Sequence, residues 1–317
     1  MIFIEVVQDT GGSRTGHKMK DYLTAFTYYF IYGYKIIMND TWNFNNNPHN
    51  HNNHCYMFNL VDENIFVKRP KKRIPIYYRL KCWSGMEYIK FKEINDNAIK
   101  EQKNNPDFDI IIKFCNSTRV QLSDIYNWEN KNLIKSGTYN NIKKYLIKRY
   151  FLRNLPNNYT YKKDELIISI HIRKGDVFHR ELHKSVQYYE NIINILKKIN
   201  KKKIINIYSE TWEGYDGKDL FNIKRLENQN TQINIIFKLC LYEYFTEILF
   251  SNIFVSTLGQ GGFSDLLIQY MDFSKTLIIN NNSRHNKFDI NFENIFNADD
   301  NGNIDIDKLI NNKIILN

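Results

Sequence analysis

Two short stretches of this chain carry residues able to handle a charged leaving group. The first is Leu166-Ile167-Ile168-Ser169-Ile170-His171-Ile172-Arg173-Lys174-Gly175-Asp176, an aliphatic run that stops at two cations, a glycine and a carboxylate. The planar fork of Arg173 suits bidentate contact with phosphate. Asp176 is placed to orient Arg173 or to cap the turn, and a plain surface ion pair between the two is the competing reading. The second stretch is Ile253-Phe254-Val255-Ser256-Thr257-Leu258-Gly259-Gln260-Gly261-Gly262-Phe263. Ser256 and Thr257 bring hydroxyls, Gly259, Gly261 and Gly262 allow close backbone approach, and a helix from Phe263 would offer unpaired N–H groups to an anion. A phosphate could be held there without a metal; a simple tight turn between strand and helix is the alternative.

Both stretches read as strand, loop and helix, and the rest of the chain repeats that pattern. Ile2–Val7 predicts a buried strand, Gln8–Gly16 a glycine-bearing loop, Lys18–Tyr32 a helix ended by Gly33, and Tyr34–Met38 a second strand. Further strands are predicted over Phe108–Phe114, Leu166–Ile172, Ile204–Tyr208, Ile233–Phe237, Ile253–Ser256 and Thr276–Ile279. Helices are predicted within Tyr126–Phe151 and over Val186–Ile199, Tyr242–Leu249 and Phe263–Met271. Alternating strands and helices indicate an α/β class with mainly parallel, Rossmann-like sheets. At 317 residues the chain exceeds the roughly 250–300 at which a single core stops growing. Two domains are expected, 1–160 and 161–317, with the polar stretch Pro156–Asp164 as their boundary.

Other motifs compete for attention. Gly11 to Gly16-His17-Lys18 approaches a Walker A loop, but His17 intrudes and Met19 stands where a hydroxyl should hold magnesium. His49, His51 and His54 beside Cys55 lie in an Asn-rich tract that reads as a loop before it reads as a zinc site. Asp107-Phe108-Asp109 and Asp305-Ile306-Asp307 have the DxD form with which many sugar transferases hold a divalent cation; no metal is expected at either. Lys68–Arg73 (KRPKKR) reads as a solvated basic face, with an acidic surface or nucleic acid as the minority partner. The formal charge of +10 would suit an anionic partner. A basic nucleic-acid-binding protein without catalysis is therefore an alternative, yet nucleic acid is not the expected partner, since the aromatics are spaced as core. The four cysteines lack CxxC spacing, and the start Met1–Val7 does not resemble a secretory signal. With no membrane-length apolar run, the expectation is a soluble, cytoplasmic protein.

His171-Ile172-Arg173-Lys174-Gly175-Asp176 resembles the H-x-R-[RK]-[GT]-D element of the fucosyltransferase superfamily, which includes α-1,2-, α-1,6- and protein O-fucosyltransferases. Gly12–Tyr32 is similar to the amino-terminal glycine loop and aromatic-rich helix of those enzymes, and Phe254–Ser264 to their late strand, hydroxyl-rich loop and helix. The resemblance implies a GT-B architecture, two Rossmann-like domains facing a cleft, with an acceptor-side amino-terminal domain. It also implies GDP-fucose as donor, inversion at the anomeric carbon, no metal or other cofactor, and a glycan, protein or small-molecule hydroxyl as acceptor. By position it implies that Arg173 meets the β-phosphate and that His171 lies near the guanine, with Glu243 the nearest candidate to read that base. Ser256, Thr257, Gly259, Gln260 and Gly261 would line the diphosphate, Gly16 and His17 would belong to the glycine loop, and Glu181 would activate the acceptor. Val177 departs from the lysine expected in the α-1,6 branch, and Gly259-Gln260 from its serines. A metal-dependent transferase using Asp107 and Asp109 is the alternative within the same chemistry.

Overall fold

The computed structural model describes residues 1–7, 15–37, 59–60, 62–78, 86–115, 120–154, 165–172, 184–209, 216–237, 244–256, 262–281 and 294–316. The chain divides into two compact units, Met1–Asn154 and Leu155–Asn317, each α/β with its own parallel sheet. The boundary expected at 160 lies outside the described residues.

The first unit runs β1 (Ile2–Val7), α1 (Thr15–Tyr32), β2 (Lys35–Ile37), β3 (Phe66–Val67), β4 (Arg73–Tyr78), α2 (Tyr88–Asn104), β5 (Asp109–Cys115), α3 (Leu122–Asn130) and α4 (Thr138–Asn154). Its five strands lie in the order β3-β2-β1-β5-β4, every pair parallel. One face is apolar for a simple reason: alternate residues Ile4, Val6, Ile110, Ile112 and Phe114 are buried, and Tyr28 of α1 meets Phe91 of α2 at 4.1 Å and Phe114 at 5.3 Å between ring centroids. The opposite face carries the small cluster Phe3, Ile37 and Ile111, and beside it a buried carboxylate, Glu5. Pro75 sits in β4, an edge strand, where its missing N–H breaks no ladder. Gly33, at φ +76°, donates to the carbonyl of Tyr29 at 2.8 Å and ends α1 as its type predicts.

One expectation needs correction. The helix was expected to begin at Lys18, but α1 begins at Thr15, so Gly16 and His17 lie in its first turn and not in the preceding loop. β3, β4 and α2 have no counterpart among the predicted elements.

The second unit runs β6 (Glu165–Ile172), α5 (Val186–Leu196), β7 (Lys202–Ser209), α6 (Lys218–Phe221) with a 3-10 turn over Asn222–Leu226, and β8 (Thr231–Phe237). It continues with α7 (Phe245–Leu249), β9 (Ile253–Ser256), α8 (Gly262–Tyr270), β10 (Leu277–Asn281), β11 (Ile295–Ala298), α9 (Ile306–Ile310) and α10 (Lys313–Leu316). The six strands, all parallel, lie in the order β11-β10-β9-β6-β7-β8. From β6 the chain builds outward through β7 to β8, then returns to the other side of β6 and builds outward again through β10 to β11. The order reverses between β6 and β9, which makes that seam the topological switch point of a doubly wound sheet.

Ile168, Ile170, Ile172, Ile205, Ile207, Ile253, Val255, Leu277 and Ile279 form one sheet face with Tyr189, Ile192, Ile193 and Leu196 of α5 packed on it. Each such aliphatic side chain contributes roughly 1.5–3 kcal/mol on full burial, so this face is the main source of cohesion. Ser185 caps α5, its hydroxyl accepting from the Tyr188 amide at 3.3 Å. Asn228 and the Glu227 carboxylate take the amides of Thr231 and Ile233 along β8, the edge strand. The Asn-rich tail, for which no element was expected beyond Ile279, supplies β11, α9 and α10. Among the described residues no helix is long and apolar enough to cross a membrane.

Candidate functional site

The face of the second sheet opposite α5 changes character near its carboxyl edge. Asn280 pairs with Ser256 across β10 and β9, and His171 pairs with Tyr208 across β6 and β7. The β6–β9 register, Ile168 with Ile253 through Ile170 with Val255, carried one step further sets His171 beside Ser256. Four neighbouring strands thus contribute one polar row, Asn280, Ser256, His171 and Tyr208, exposed by only 1%, 0%, 2% and 0%. Unbonded polar groups in such a place cost roughly 1–3 kcal/mol each. A row of them at the switch point, and not in the aliphatic interior, calls for an explanation by partners.

Several partners are present. His171 Nδ1 lies 2.9 Å from Ser264 Oγ, and Ser264 is itself 2% exposed in the first turn of α8. The Tyr208 hydroxyl donates to Glu247 Oε2 at 3.2 Å, and its ring stacks on Tyr244 with centroids 4.6 Å apart. On the other face, Ser209 Oγ donates to the carbonyl of Ile172 at 2.9 Å, clamping the ends of β6 and β7 together. Asn281 donates to the carbonyl of Asp299 at 3.1 Å. Ser256 Oγ is fully buried and has no hydrogen-bond partner among the described residues.

Chemically, the edge offers neutral donors and the amino end of the nine-residue α8, a combination that favours an anion. Arg173 is the next residue after β6, and Thr257 the next after β9. Arg173, Asp176, Glu181, Glu243, Thr257, Gly259, Gln260 and Gly261 all lie outside the described residues. Of the other predicted site residues, the structure brings His171 and Ser256 together, on adjacent strands, and places Gly16 and His17 in the first unit. Asp107 and Asp109 stand at the amino end of β5, the end away from which parallel sheets place ligands, and Asp109 Oδ1 accepts from the amino nitrogen of Met1 at 2.9 Å. Asp305 caps α9, accepting from the Lys308 amide at 3.1 Å. Among the described residues no group of three or more His, Cys, Asp or Glu is arranged to hold a metal ion.

Sequence reasoning missed Ser264, Asn280, Tyr208 and Glu247. The signal was available for the first strand, where Ser169 and His171 alternate with Ile168, Ile170 and Ile172: a period of two inside what reads as an unbroken aliphatic run. No family model, no curated protein and no solved structure matches this chain.

Proposed function

We propose that this protein is a glycosyltransferase that moves a sugar from a nucleoside diphosphate to a hydroxyl acceptor, with fucose from GDP-fucose as the donor the motif resemblance implies. The single observation supporting the reading is the adjacency of β6 and β9 at the switch point. The two stretches able to hold a diphosphate, one headed by Arg173 and one by Thr257, leave the sheet from neighbouring strands.

In this reading the acceptor oxygen attacks the anomeric carbon from the face opposite the diphosphate, the bond from carbon to the β-phosphate oxygen breaks, and configuration inverts. Arg173 and the donors of the 256–262 turn take up the charge growing on the leaving diphosphate, in the role a cation plays elsewhere. Losing one such preorganised donor costs about 10²–10³ in rate. Glu181 takes the acceptor proton, a contribution of roughly 10²–10⁴. Asp176 orients Arg173, and His171 with Glu243 stands on the side of the base. The two units correspond to the halves of a GT-B enzyme, with the donor held by the second.

A thermal-shift panel of GDP, UDP, ADP and CMP, with and without manganese, tests the donor, since stabilisation follows affinity. GDP should raise the melting temperature without a divalent ion. Arg173→Ala should melt as wild type does, lose the GDP shift, and transfer fucose at least about a hundredfold more slowly. Wild-type turnover by that variant, or activity removed by EDTA and restored by manganese, would overturn the proposal.

A further inference from the structure

The basic run 68–73 is the solvated face its composition indicates, with Lys68, Lys71, Lys72 and Arg73 exposed, and the structure also gives it a defined course. It joins β3, at one edge of the first sheet, to β4, at the opposite edge. Midway, the Arg69 guanidinium pairs with Glu5 of the central strand β1, a carboxylate 3% exposed that also meets Lys113 Nζ at 3.2 Å. The Asp109 amide donates to the carbonyl of Lys72 at 2.9 Å, and Arg73 donates to the carbonyl of Pro70 at 2.8 Å. The segment is therefore a strap pinned across a sheet face, not a free loop.

Its lysines are not spent on that anchorage, which falls to Arg69 and Arg73. Lys68, Lys71, Lys72 and Arg73 are exposed, and none of Lys68, Lys71 or Lys72 is ion-paired among the described residues. Of the acids at the strap, Glu5 already faces two cations and Asp109 the amino group of Met1. On the same sheet face Tyr77 is 63% exposed, with Lys113 Nζ 5.1 Å from the centre of its ring. Exposed ammonium groups on a pinned strap, with an exposed phenol on the same sheet face, suit a chain that alternates anionic groups with small apolar faces. Single-stranded nucleic acid would need several stacking platforms in succession. Tyr77 is the one exposed ring among the described strand residues of that face, and Tyr28, Tyr32, Tyr88, Phe91 and Trp128 are packed on one another.

We propose that the 68–73 strap is a binding surface for an anionic carbohydrate chain bearing sulfate or carboxylate groups, and that such a chain is the acceptor. The binding claim stands on the strap; only the word acceptor rests on the transferase reading.

Binding of a fluorescent sulfated hexasaccharide, its desulfated counterpart and a deoxyribonucleotide hexamer should be measured by anisotropy at several salt concentrations, with wild type and the K68Q/K71Q/K72Q variant. The sulfated chain should bind best and the desulfated one negligibly. The triple variant should bind the sulfated chain roughly tenfold or more weakly, with a shallower dependence on salt. It should keep the melting temperature and GDP shift of wild type, because its substitutions are at exposed positions. Equal binding by wild type and variant, or preference for the deoxyribonucleotide, would overturn the proposal. Loss of the GDP shift in wild type, with strap-dependent glycan binding intact, would instead overturn the transferase reading alone.

Discussion

His171 and Ser264 are held 2.9 Å apart, ring nitrogen to hydroxyl, and so join the carboxyl end of a central strand to the first turn of the helix that begins beyond the 257–261 segment. His171 lies two residues before Arg173 in sequence and Ser264 seven after Thr257, so on the proposed reading this bond ties the described ends of the two stretches together. Ser264→Ala should raise the donor KM about tenfold with a smaller change in kcat, while costing about 1 kcal/mol of stability in urea. Ser264→Thr keeps the hydroxyl and should restore KM. Equal KM values for the alanine and threonine variants would show that the contact only packs.

Ser256 supplies the reverse case. Its hydroxyl is buried without a partner among the described residues, so removing it relieves a desolvation cost and leaves no broken bond. Ser256→Ala should therefore melt at or slightly above the wild-type temperature without ligand, and yet show a smaller shift with GDP. A loss of stability without ligand would mean that the hydroxyl is bonded within the fold. The same trade of stability for function is common at binding sites.

Glu5 anchors two cations from inside the first unit. Glu5→Gln would leave Arg69 and Lys113 facing each other without their common counter-ion, and should cost on the order of 3–5 kcal/mol, the usual penalty for breaking a buried pair from one side. Urea denaturation followed by tryptophan fluorescence would report it, since Trp128 belongs to this unit.

Lys203 gives a pH dependence with a definite sign. Its side chain is 1% exposed and donates to the carbonyl of Lys201 at 2.5 Å, and burial, with Lys197 nearby, holds its pKa below the usual lysine value. Because the folded pKa lies below the unfolded one, the ammonium is a burden at neutral pH, and the burden lifts as pH climbs from the folded value toward about 10.5. Lys203→Met should raise the urea midpoint at pH 7, with the advantage shrinking at pH 10. An advantage that grows with pH would show that the amine is held by favourable contacts.

The elements legible in the sequence are those whose cohesion is local. Ile2–Val7, Leu166–Ile172 and Ile253–Ser256 declare themselves because branched aliphatic residues recur within a few positions and polar or glycine-bearing segments follow. β3 and β4 do not: a two-residue strand has no period, and Pro75 argues against a strand until its edge position is known. The polar row was hidden for a different reason. Asn280, Ser256, His171 and Tyr208 become neighbours only through the register of four strands, and register across long separations is set by tertiary packing, not by nearby sequence. Ile295, Phe296 and Ala298 were masked by the asparagines around them, although Phe296 and Ala298 alternate into the core. The basic run is a solvated face, as its composition indicates, but its anchorage was not legible because it depends on Glu5, which lies in a strand 64 residues away from Arg69.

The position of β9 has a consequence for synthesis. β6 finds β7 across a separation of 37 residues, but its other flank waits for contacts 85 residues away. A ribosome adding roughly 5–20 residues per second leaves that flank bare for about 4–17 s. During that interval the nascent chain presents an aliphatic strand with one unsatisfied ladder, the kind of edge that chaperones cover and that otherwise recruits its neighbours. The seam proposed to receive the nucleotide is thus the later of the two flanks of β6 to close, and a chain interrupted before Ile253 would be prone to aggregate while its first unit was already complete.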